Sequence, residues 1–407
     1  MPTIPPALPT SAGRLLFVLV AAACVGCGGG PAPVGASVSV AEAMAGDTVG
    51  YARADRVRAF AFPADHGPHP AFKAEWWYVT GNVRATDGTG RRFGIQFTVF
   101  RSALAPGAEE ARASGWATNQ LYMAHVAVGD IAAERFYSAE RFARGAAGLA
   151  GASAEPLAAF VGPVRLTGVG PGGVEATGPA GGAVPLRITG EAEGAAFDLS
   201  TRPLKPVVLQ GDRGLSQKGA GAGNASYYYA QTRMATEGTV TVGGETIPVE
   251  GLSWLDREWS TSALAPGQVG WDWFALHLSD GRDLMVYQLR QSDGSKDPLS
   301  KGSLVAADGA KTHLAAGDFA LEPVETWTAP SGGRYPVRWR VRVPGAGLDL
   351  EVAAAFQAQE LDATIRYWEG AVDVTDAAGG TALGVGFLEM TGYADSQDGN
   401  ARPVPTR

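Results

Sequence analysis

The amino-acid sequence predicts an all-β protein built from two β units. Three observations support this: hydrophobic residues alternate with a period of two, turn signals separate the alternating segments, and glycine accounts for 56 of the 407 residues. Glycine is roughly twice as frequent as its usual share of about 7%, which suits short strands and turns better than long helices. The alternating segments outnumber the strands of one small barrel, so we expect two units.

The strand signal recurs in both halves of the chain. "RRFGIQFTVF" places Phe93, Ile95 and Phe97 on one face, and "VRWRVRV" alternates apolar residues with arginines. Such alternation is typical of a strand with one face in a core and the other in water. Turn signals such as "TDGTG", "VGGE" and "SDGR" separate these segments. Two alanine-rich segments, residues 41–46 and 145–155, are interpreted as short helices.

The joint between the two β units is predicted in "STSALAPGQVG", residues 260–270, which is small, polar and broken by proline. We assign residues 61–262 to an N-terminal domain and residues 263–395 to a C-terminal domain. A tail, residues 396–407, follows.

The N-terminus resembles a bacterial lipoprotein signal. Arg14 precedes an apolar run from Leu15 to Ala23, which has the length of a signal h-region and is too short to span a bilayer. Cys24 and Cys27 follow small residues, and either is a candidate for the lipid that would anchor the chain to a membrane.

These features predict a signal peptide and lipobox at residues 1–27 and a flexible tether at residues 28–60. The protein is then expected in the cell envelope, lipid-anchored at the outer membrane or the periplasmic face. The alternative is simple signal cleavage with release of the protein.

Composition and motifs exclude several classes of function. The net charge of −8 argues against a nucleic-acid partner. The body of the chain contains no cysteine, which excludes an internal disulfide, a thiol catalyst and a cysteine metal site there. "GLSWL" lacks the second glycine of a serine-hydrolase elbow, and no Walker or dinucleotide glycine loop is present. We expect neither a metal nor another cofactor.

The histidines give weak signals. His66 and His69, in "DHGPHP", have the spacing of a weak metal pair, although a proline-rich loop explains them better. His125 is interpreted as a satisfied strand residue. His277 shares a predicted strand face with two tryptophans, and is the one histidine expected near a site.

The stretch "VEGLSWLDREWS", with "GWDWFALHLSDGR" shortly after it, concentrates tryptophans and charges. On a strand, Trp254, Asp256 and Glu258 share one face, and the residues between them face the other way. The two carboxylates lie roughly 6.5–7 Å apart along such a strand. Beside indole walls both lose hydration, and each raises the pKa of the other.

A carboxyl group kept protonated in an apolar cavity can act as a general acid, and tryptophan faces can stabilise a developing cation. This combination suits protonation of an alkene followed by addition of water. The alternative is structural: Arg257 pairs with a carboxylate, and the tryptophans cement the two domains.

Other candidates come from neighbouring strands. Trp271 and Trp273 share one predicted face and Asp272 takes the opposite one, and the sequence does not say which set lines a cavity. In "YYYAQTRM", Tyr229 and Arg233 share a face, and Arg233 is a candidate inward partner for Asp256.

Five segments carry a resemblance to a known family: "KAEWWYVTGNV", "GIQFTVFRSAL", "YYYAQTRMATEGTVTVGG", "VEGLSWLDREWS" and "GWDWFALHLSDGRDLMVYQLR". They resemble the carotenoid 1,2-hydratase (CrtC) and AttH-like family from about Phe72 to about Tyr393. The resemblance implies two tandem lipocalin-like (calycin) β-barrels with an apolar ligand cavity. It also implies cofactor-independent hydration of carotenoids in some members, and exported companions of transport systems in others. The positions that match the family pattern are Trp76, Trp77, Asp256, Trp259, Trp271 and Trp273.

Three hypotheses follow. The first is an exported lipoprotein that binds a small hydrophobic ligand near the domain joint. The second is a hydratase with Asp256 as proton donor, assisted by Glu258 or Asp272. The third is an adaptor lipoprotein that serves an ABC-type transporter of the envelope. The predicted ligand-binding residues are Trp254, Trp259, Trp271, Trp273, Tyr229, Arg233, Trp76 and Trp77.

Overall fold

The structure, a computed structural model, describes residues 48–107, 114, 116–169, 182–261 and 264–393. The predicted signal peptide with Cys24 and Cys27, the predicted helix at residues 41–46 and the tail lie outside these ranges. In the described residues, regular structure consists of strands and two short 3₁₀ turns, which confirms the all-β prediction. None of the helical segments in these ranges has the length and apolar character needed to cross a membrane.

The first sheet precedes the predicted joint. In the described residues its strands are β1 (Ala74–Ala85), β2 (Arg92–Ala103), β3 (Gln120–Asp130), β4 (Arg135–Arg144), β5 (Ala150–Ala154), β6 (Leu157–Val161), β7 (Val164–Gly168), β8 (Leu186–Ala192), β9 (Ala195–Pro203), β10 (Val208–Leu209), β11 (Leu215–Gln217), β12 (Ala225–Val242) and β13 (Glu245–Ser260). Their order is β4-β3-β2-β1-β13-β12-β9-β8-β7-β6-β5, with β10 and β11 on β12. The pairing is antiparallel, as in β1 with β2 and with β13.

The second sheet follows the joint. Its described strands are β14 (Gln268–Leu278), β15 (Asp283–Gln291), β16 (Lys301–Val305), β17 (Lys311–Ala315), β18 (Ala320–Thr328), β19 (Arg334–Val343), β20 (Leu348–Ala354), β21 (Glu360–Leu361), β22 (Tyr367–Asp376) and β23 (Ala382–Thr391). Their order is β17-β16-β15-β14-β23-β22-β20-β19-β18, with β21 on β22.

Each sheet curls into a barrel-like unit around its own apolar core, which confirms the prediction of two lipocalin-like barrels. In the first unit β3 packs across the core on β6 and β8, and Phe93, Ile95 and Phe97 point inward. In the second unit, Trp339 and Val341 of "VRWRVRV" point inward, as their alternation with arginines predicts. Burial of these side chains is the main favourable contribution to folding.

The two barrels touch through the outer faces of their sheets. Gly94 on β2 faces Ala371 on β22, and a Cβ atom at Gly94 would lie 2.8 Å from the Ala371 Cβ. Asn82 Nδ2 donates to the Gly386 carbonyl at 2.8 Å. Buried Asp283 on β15 receives hydrogen bonds from first-sheet residues, which joins the two barrels by charge as well as by packing.

The segment before β1 packs against the first barrel. Ala54 is buried, the Tyr227 hydroxyl donates to the Arg56 carbonyl at 2.9 Å, and the Phe60 ring lies 5.5 Å from the Trp259 ring. The described residues up to 60 are therefore attached to the barrel, although the sequence reading placed them in a flexible tether.

The predicted short helix at residues 145–155 is wrong. Residues Ala150–Ala154 form β5, which pairs with β6 so that Ala150 lies opposite Val161. Alanine favours a helix intrinsically, but the interspersed glycines weaken that preference and pairing at the sheet edge decides the structure.

Candidate functional site

Strand β13 divides its side chains between two environments. Leu255 belongs to the core of the first barrel, and Arg257 and Trp259 lie on the same side. Asp256 and Glu258 instead point toward the second barrel and line a cavity. The period of two in "WLDREW" predicts this division.

The cavity has a volume of about 890 Å³ and lies between the outer faces of the two sheets, apart from the filled barrel cores. Its walls are mostly apolar. Leu104 and Phe142 line it and are also exposed, so the cavity opens beside them. The wall residues that matter below are Trp76, Tyr78, Lys218, Tyr228, Asp256, Glu258, Trp271, Trp273, Tyr287, Tyr367 and Glu389.

Asp256 is a carboxyl group held at the cavity wall. Its residue is 3% exposed. The Trp254 indole N–H donates to Oδ1 at 2.7 Å, and the Tyr228 hydroxyl donates to Oδ2 at 2.6 Å. Burial raises the pKa of Asp256 to about 8, against the opposing effect of these two hydrogen bonds. Asp256 is therefore mostly protonated at neutral pH.

Glu258, two residues further along β13, is part of an ion pair. Lys218 Nζ lies 2.9 Å from Glu258 Oε1 and 4.7 Å from the centre of the Tyr287 ring. Burial disfavours the Lys218 ammonium, but the charge and hydrogen bond of Glu258, together with Tyr287 and Asp256, outweigh burial and hold the pKa of Lys218 above its ordinary value. Asp256 and Glu258 therefore differ. Asp256 is mostly neutral and can donate a proton, whereas Glu258 pairs with the Lys218 cation.

The second barrel contributes another carboxyl group, Glu389 on β23. The Trp271 indole N–H donates to Glu389 Oε1 at 2.6 Å, and burial raises the pKa of Glu389 to about 7. Glu369 lies opposite Glu389 on β22 and accepts a hydrogen bond from the Tyr78 hydroxyl.

The sequence analysis missed seven of these residues: Tyr78, Lys218, Tyr228, Tyr287, Tyr367, Glu369 and Glu389. One signal was available, because Glu369 and Glu389 each interrupt a mostly apolar strand, in "YWEGAV" and "FLEMTGY". A charged residue at such a position is rarely buried without a reason.

Five of the eight predicted ligand-binding residues do not line the cavity, and three of these five lie close together. Trp77 and Tyr229 lie opposite Arg257 on β1 and β12, and cross-strand neighbours share a face. Trp259 stacks on His69 with ring centres 3.8 Å apart, and the Tyr229 hydroxyl bonds His66 Nδ1 at 2.6 Å. These side chains close one end of the first barrel.

Trp254 and His277 pack behind the cavity wall. Their rings lie 6.0 Å apart, and His277 Nε2 bonds the Thr232 carbonyl at 2.8 Å. Trp254 supports the site through its hydrogen bond to Asp256 and through an edge-on contact with Trp273, with ring centres 6.4 Å apart. Neither ring belongs to the cavity lining.

The predicted partnership of Arg233 with Asp256 is wrong. Arg233 Nε donates to Asp283 Oδ1 at 2.8 Å. A register irregularity in β12 between Gln231 and Met234 breaks the alternation that would have placed Arg233 beside Tyr229. Arg233 therefore helps to join the barrels and does not line the cavity.

The prediction that Asp272 assists Asp256 is also wrong. It lies on the opposite face of β14 from Trp271 and Trp273, where Gln288 Nε2 donates to its Oδ2 at 2.7 Å. Trp271 and Trp273 line the cavity, as does Trp76.

In the ranges that the structure describes, no group of three or more His, Cys, Asp or Glu side chains converges as a metal site requires. His66 and His69 contribute instead to the hydrogen bonds beneath the N-terminal segment. His69 Nε2 lies 3.1 Å from Asp65 Oδ1, and His66 Nε2 bonds the Gly182 carbonyl at 2.7 Å.

The raised pKa of Asp256 has a consequence for stability. Between the ordinary aspartate pKa of 3.8 and about 8, the folded protein binds a proton at Asp256 that the unfolded chain has released. The proton held by Asp256 therefore stabilises the folded protein at low pH. This stabilisation is lost as pH rises through that window, by a few kcal/mol in order of magnitude. Asp256→Asn removes the effect.

We expect the free energy of unfolding of Asp256→Asn, relative to the parent, to increase from pH 4 to pH 8. Urea unfolding followed by tryptophan fluorescence at both pH values measures the difference. A difference that does not change with pH would contradict a neutral buried Asp256.

Two curled β-barrels with a carboxyl-bearing cavity between them define a lipocalin-like fold. The AttH-like family model matches residues 53–393, and the chain belongs to the AttH-like family.

A crystal structure of a candidate AttH from Nitrosomonas europaea is similar at 34% identity and a TM-score of 0.72, covering 84% of this chain and 99% of that one. The curated kievitone hydratase of Fusarium solani subsp. phaseoli is 23% identical over 179 residues, which are 42% of this chain and 49% of the relative. The chain thus spans about half the length of that relative. A crystal structure of kievitone hydratase from Nectria haematococca shares the fold at 15% identity and a TM-score of 0.61, covering 83% of this chain and 94% of that one.

Proposed function

We propose that the protein binds an apolar, isoprenoid-like ligand in the cavity and adds water to one of its double bonds, with Asp256 as general acid. The observation that carries this proposal is a mostly protonated carboxyl group at the wall of an apolar cavity. The similarity to kievitone hydratase supports it, because a hydratase adds water to a double bond.

In the first step, the Asp256 proton forms a bond with one alkene carbon at the expense of the π bond, and the other carbon becomes a cation. The indole faces of Trp271, Trp273 and Trp76 line the cavity where this charge develops, and aromatic faces stabilise cations. The new Asp256 carboxylate keeps its hydrogen bonds from Tyr228 and Trp254.

In the second step, the oxygen of a water molecule forms a bond with the cationic carbon, and the water releases a proton to a base in the cavity. Glu258 lines the cavity, but its carboxylate is already paired with Lys218. The product is an alcohol, and Asp256 must recover one proton before the next turnover.

Binding without turnover is the second candidate, and the apolar cavity with its exposed opening at Leu104 and Phe142 favours it independently of Asp256. The carotenoid 1,2-hydratase reaction is the particular hydration that we propose to test first, alongside hydration of kievitone.

The test is incubation of the protein with lycopene, an acyclic carotenoid, and with kievitone, each in water enriched in heavy oxygen. We expect mass spectrometry to show a product heavier by one labelled water. Saturable quenching of tryptophan fluorescence without a labelled product would favour the binding function. If neither compound quenches the fluorescence nor gains label, both candidates fail for these ligands.

From the sequence we also propose export, a lipid at Cys24 or Cys27, and attachment to the cell envelope. Mass spectrometry of the mature N-terminal peptide tests the lipid. The adaptor role predicts that an ABC-type transporter co-purifies from solubilised membranes, and its absence there would remove that role.

A further inference from the structure

The carboxyl groups of Glu369 and Glu389 form a pair on the wall opposite Asp256. They lie directly across from each other on β22 and β23. Glu389 lines the cavity, whereas Glu369 is fully buried behind it. Burial first, and then the charge of Glu389, raise the pKa of Glu369 well above its ordinary value. Two acids in this arrangement share protons more readily than they carry two charges.

The Tyr78 hydroxyl connects the pair. It donates to Glu369 Oε1 and also hydrogen bonds with Glu389. Tyr78 lies opposite Asp256 on the neighbouring strand, so its side chain extends from the first barrel to the acids of the second. A proton can therefore pass between the two glutamates through one hydroxyl group.

A row of polar groups leads from Glu369 to the surface, and hydrogen bonds join its members from Tyr367 onward. Glu369 Oε2 makes no hydrogen bond with the described residues, and the Tyr367 hydroxyl, two residues away on β22, acts on the Glu369 carboxyl group and opposes the rise of its pKa. That hydroxyl bonds His125 Nδ1, and His125 Nε2 lies 2.8 Å from Glu140 Oε2. The His125 side chain is fully buried, and the Glu140 side chain is 18% exposed. Thr364 Oγ1 holds Glu140 at 2.8 Å.

The donors and acceptors of this row have one consistent direction. A protonated Glu369 can donate to the Tyr367 oxygen, Tyr367 donates to His125 Nδ1, and His125 Nε2–H donates to the Glu140 carboxylate. Every polar atom between Glu369 and Glu140 is then satisfied, which is how protons move along hydrogen-bonded groups.

We propose that Glu389 and Glu369 form a second acid–base centre of the cavity, and that Tyr367, His125 and Glu140 connect it to solvent as a proton path. Its use in turnover rests on the proposed hydration. As water bonds to the cation, its proton passes to Glu389, then to Glu369, and leaves at Glu140. Asp256 regains one proton from solvent after product release, so the cycle has no net proton change.

The test measures proton exchange in the full-length protein without turnover. Dodecane, a saturated alkane, is added to displace water from the apolar cavity, and its binding is followed by tryptophan fluorescence. After transfer to heavy water, infrared spectroscopy follows the C=O bands of protonated carboxyl groups, assigned with Glu369→Gln, Glu389→Gln and Asp256→Asn. We expect the glutamate bands to exchange at least roughly tenfold faster than the Asp256 band, which has no such path.

Tyr367→Phe is expected to slow the glutamate exchange to the rate of the Asp256 band, and Glu140→Gln, at the exposed end, to slow it as well. Tyr287→Phe is the matched control, because its buried hydroxyl bonds Ser216 at 3.0 Å and lies off the path. Exchange at the parent rate in both Tyr367→Phe and Glu140→Gln would overturn the proposal. Since no substrate is used, this result is independent of whether hydration is found.

Discussion

Asp256→Asn is expected to reduce water addition by roughly 10²–10⁴-fold while the apolar ligand still binds. Asparagine keeps the shape of the side chain but has no acidic proton to give to an alkene. The carboxyl group of Asp256 is one polar group in a mostly apolar cavity wall, so ligand affinity should change little. Rates of labelled-water incorporation and fluorescence titrations with the same ligand separate the two effects.

Asp272→Asn is the matched control for this experiment. Asp272 is a fully buried aspartate near the barrel contact, and burial raises its pKa, as it does for Asp256. It faces away from the cavity, however, and we expect hydration at close to the parent rate. If both variants lost the same fraction of hydration activity, the loss would come from the effect of a buried aspartate on folding. Asp256 would then not be the acid.

Glu75→Gln is expected to lower the free energy of unfolding by about 3–5 kcal/mol. Glu75 is fully buried and forms ion pairs with Arg101 and Arg257, which are buried as well. It also accepts a hydrogen bond from the His69 backbone N–H at 3.0 Å. The neutral side chain leaves both guanidinium groups without a countercharge, and urea unfolding measures the cost.

The pH dependence of this network has the opposite sign to that of Asp256. Burial opposes the Glu75 carboxylate, but Arg257, His69 and Arg101 together outweigh burial and hold the pKa of Glu75 well below its ordinary 4.5. Its stabilisation is therefore complete above that value and is lost only in stronger acid. Asp198→Asn, which removes an exposed pair with Arg187, is the control and should cost at most about 1 kcal/mol. Similar costs in both variants would contradict a buried network.

The period of two was sufficient to predict the strands, because each strand has one face in a core and the other outside it. The same period placed Asp256 and Glu258 on one face and Arg257 on the other. It failed at Arg233, where an irregularity in β12 breaks the alternation. A second prediction failed for a different reason. At residues 145–155 the alanine composition suggested a helix, but pairing at a sheet edge formed a strand.

Some residues of the site could not be predicted from local sequence patterns. Lys218 and Glu389 are separated from Asp256 by 38 and 133 positions in the chain. Lys218 reaches the site because β11 pairs with β12, whereas Glu389 shares the cavity with Asp256 because β23 pairs with β14 and the two barrels pack on their outer faces. Strand order and barrel contact are set by the whole core, so no window of the sequence contains them.

Because β13 places different residues on its two faces, insertions and deletions in this part of the gene are restricted. A single-codon insertion or deletion ahead of Trp254, carried through the strand, would exchange its two faces. Arg257 would then enter the chamber between the barrels, and an acidic side chain of β13 would take its place beside Glu75, which would keep Arg101 of its two arginine partners. Relatives of this chain should therefore differ in length within the loops, while the spacing from β12 through Ser260 stays constant.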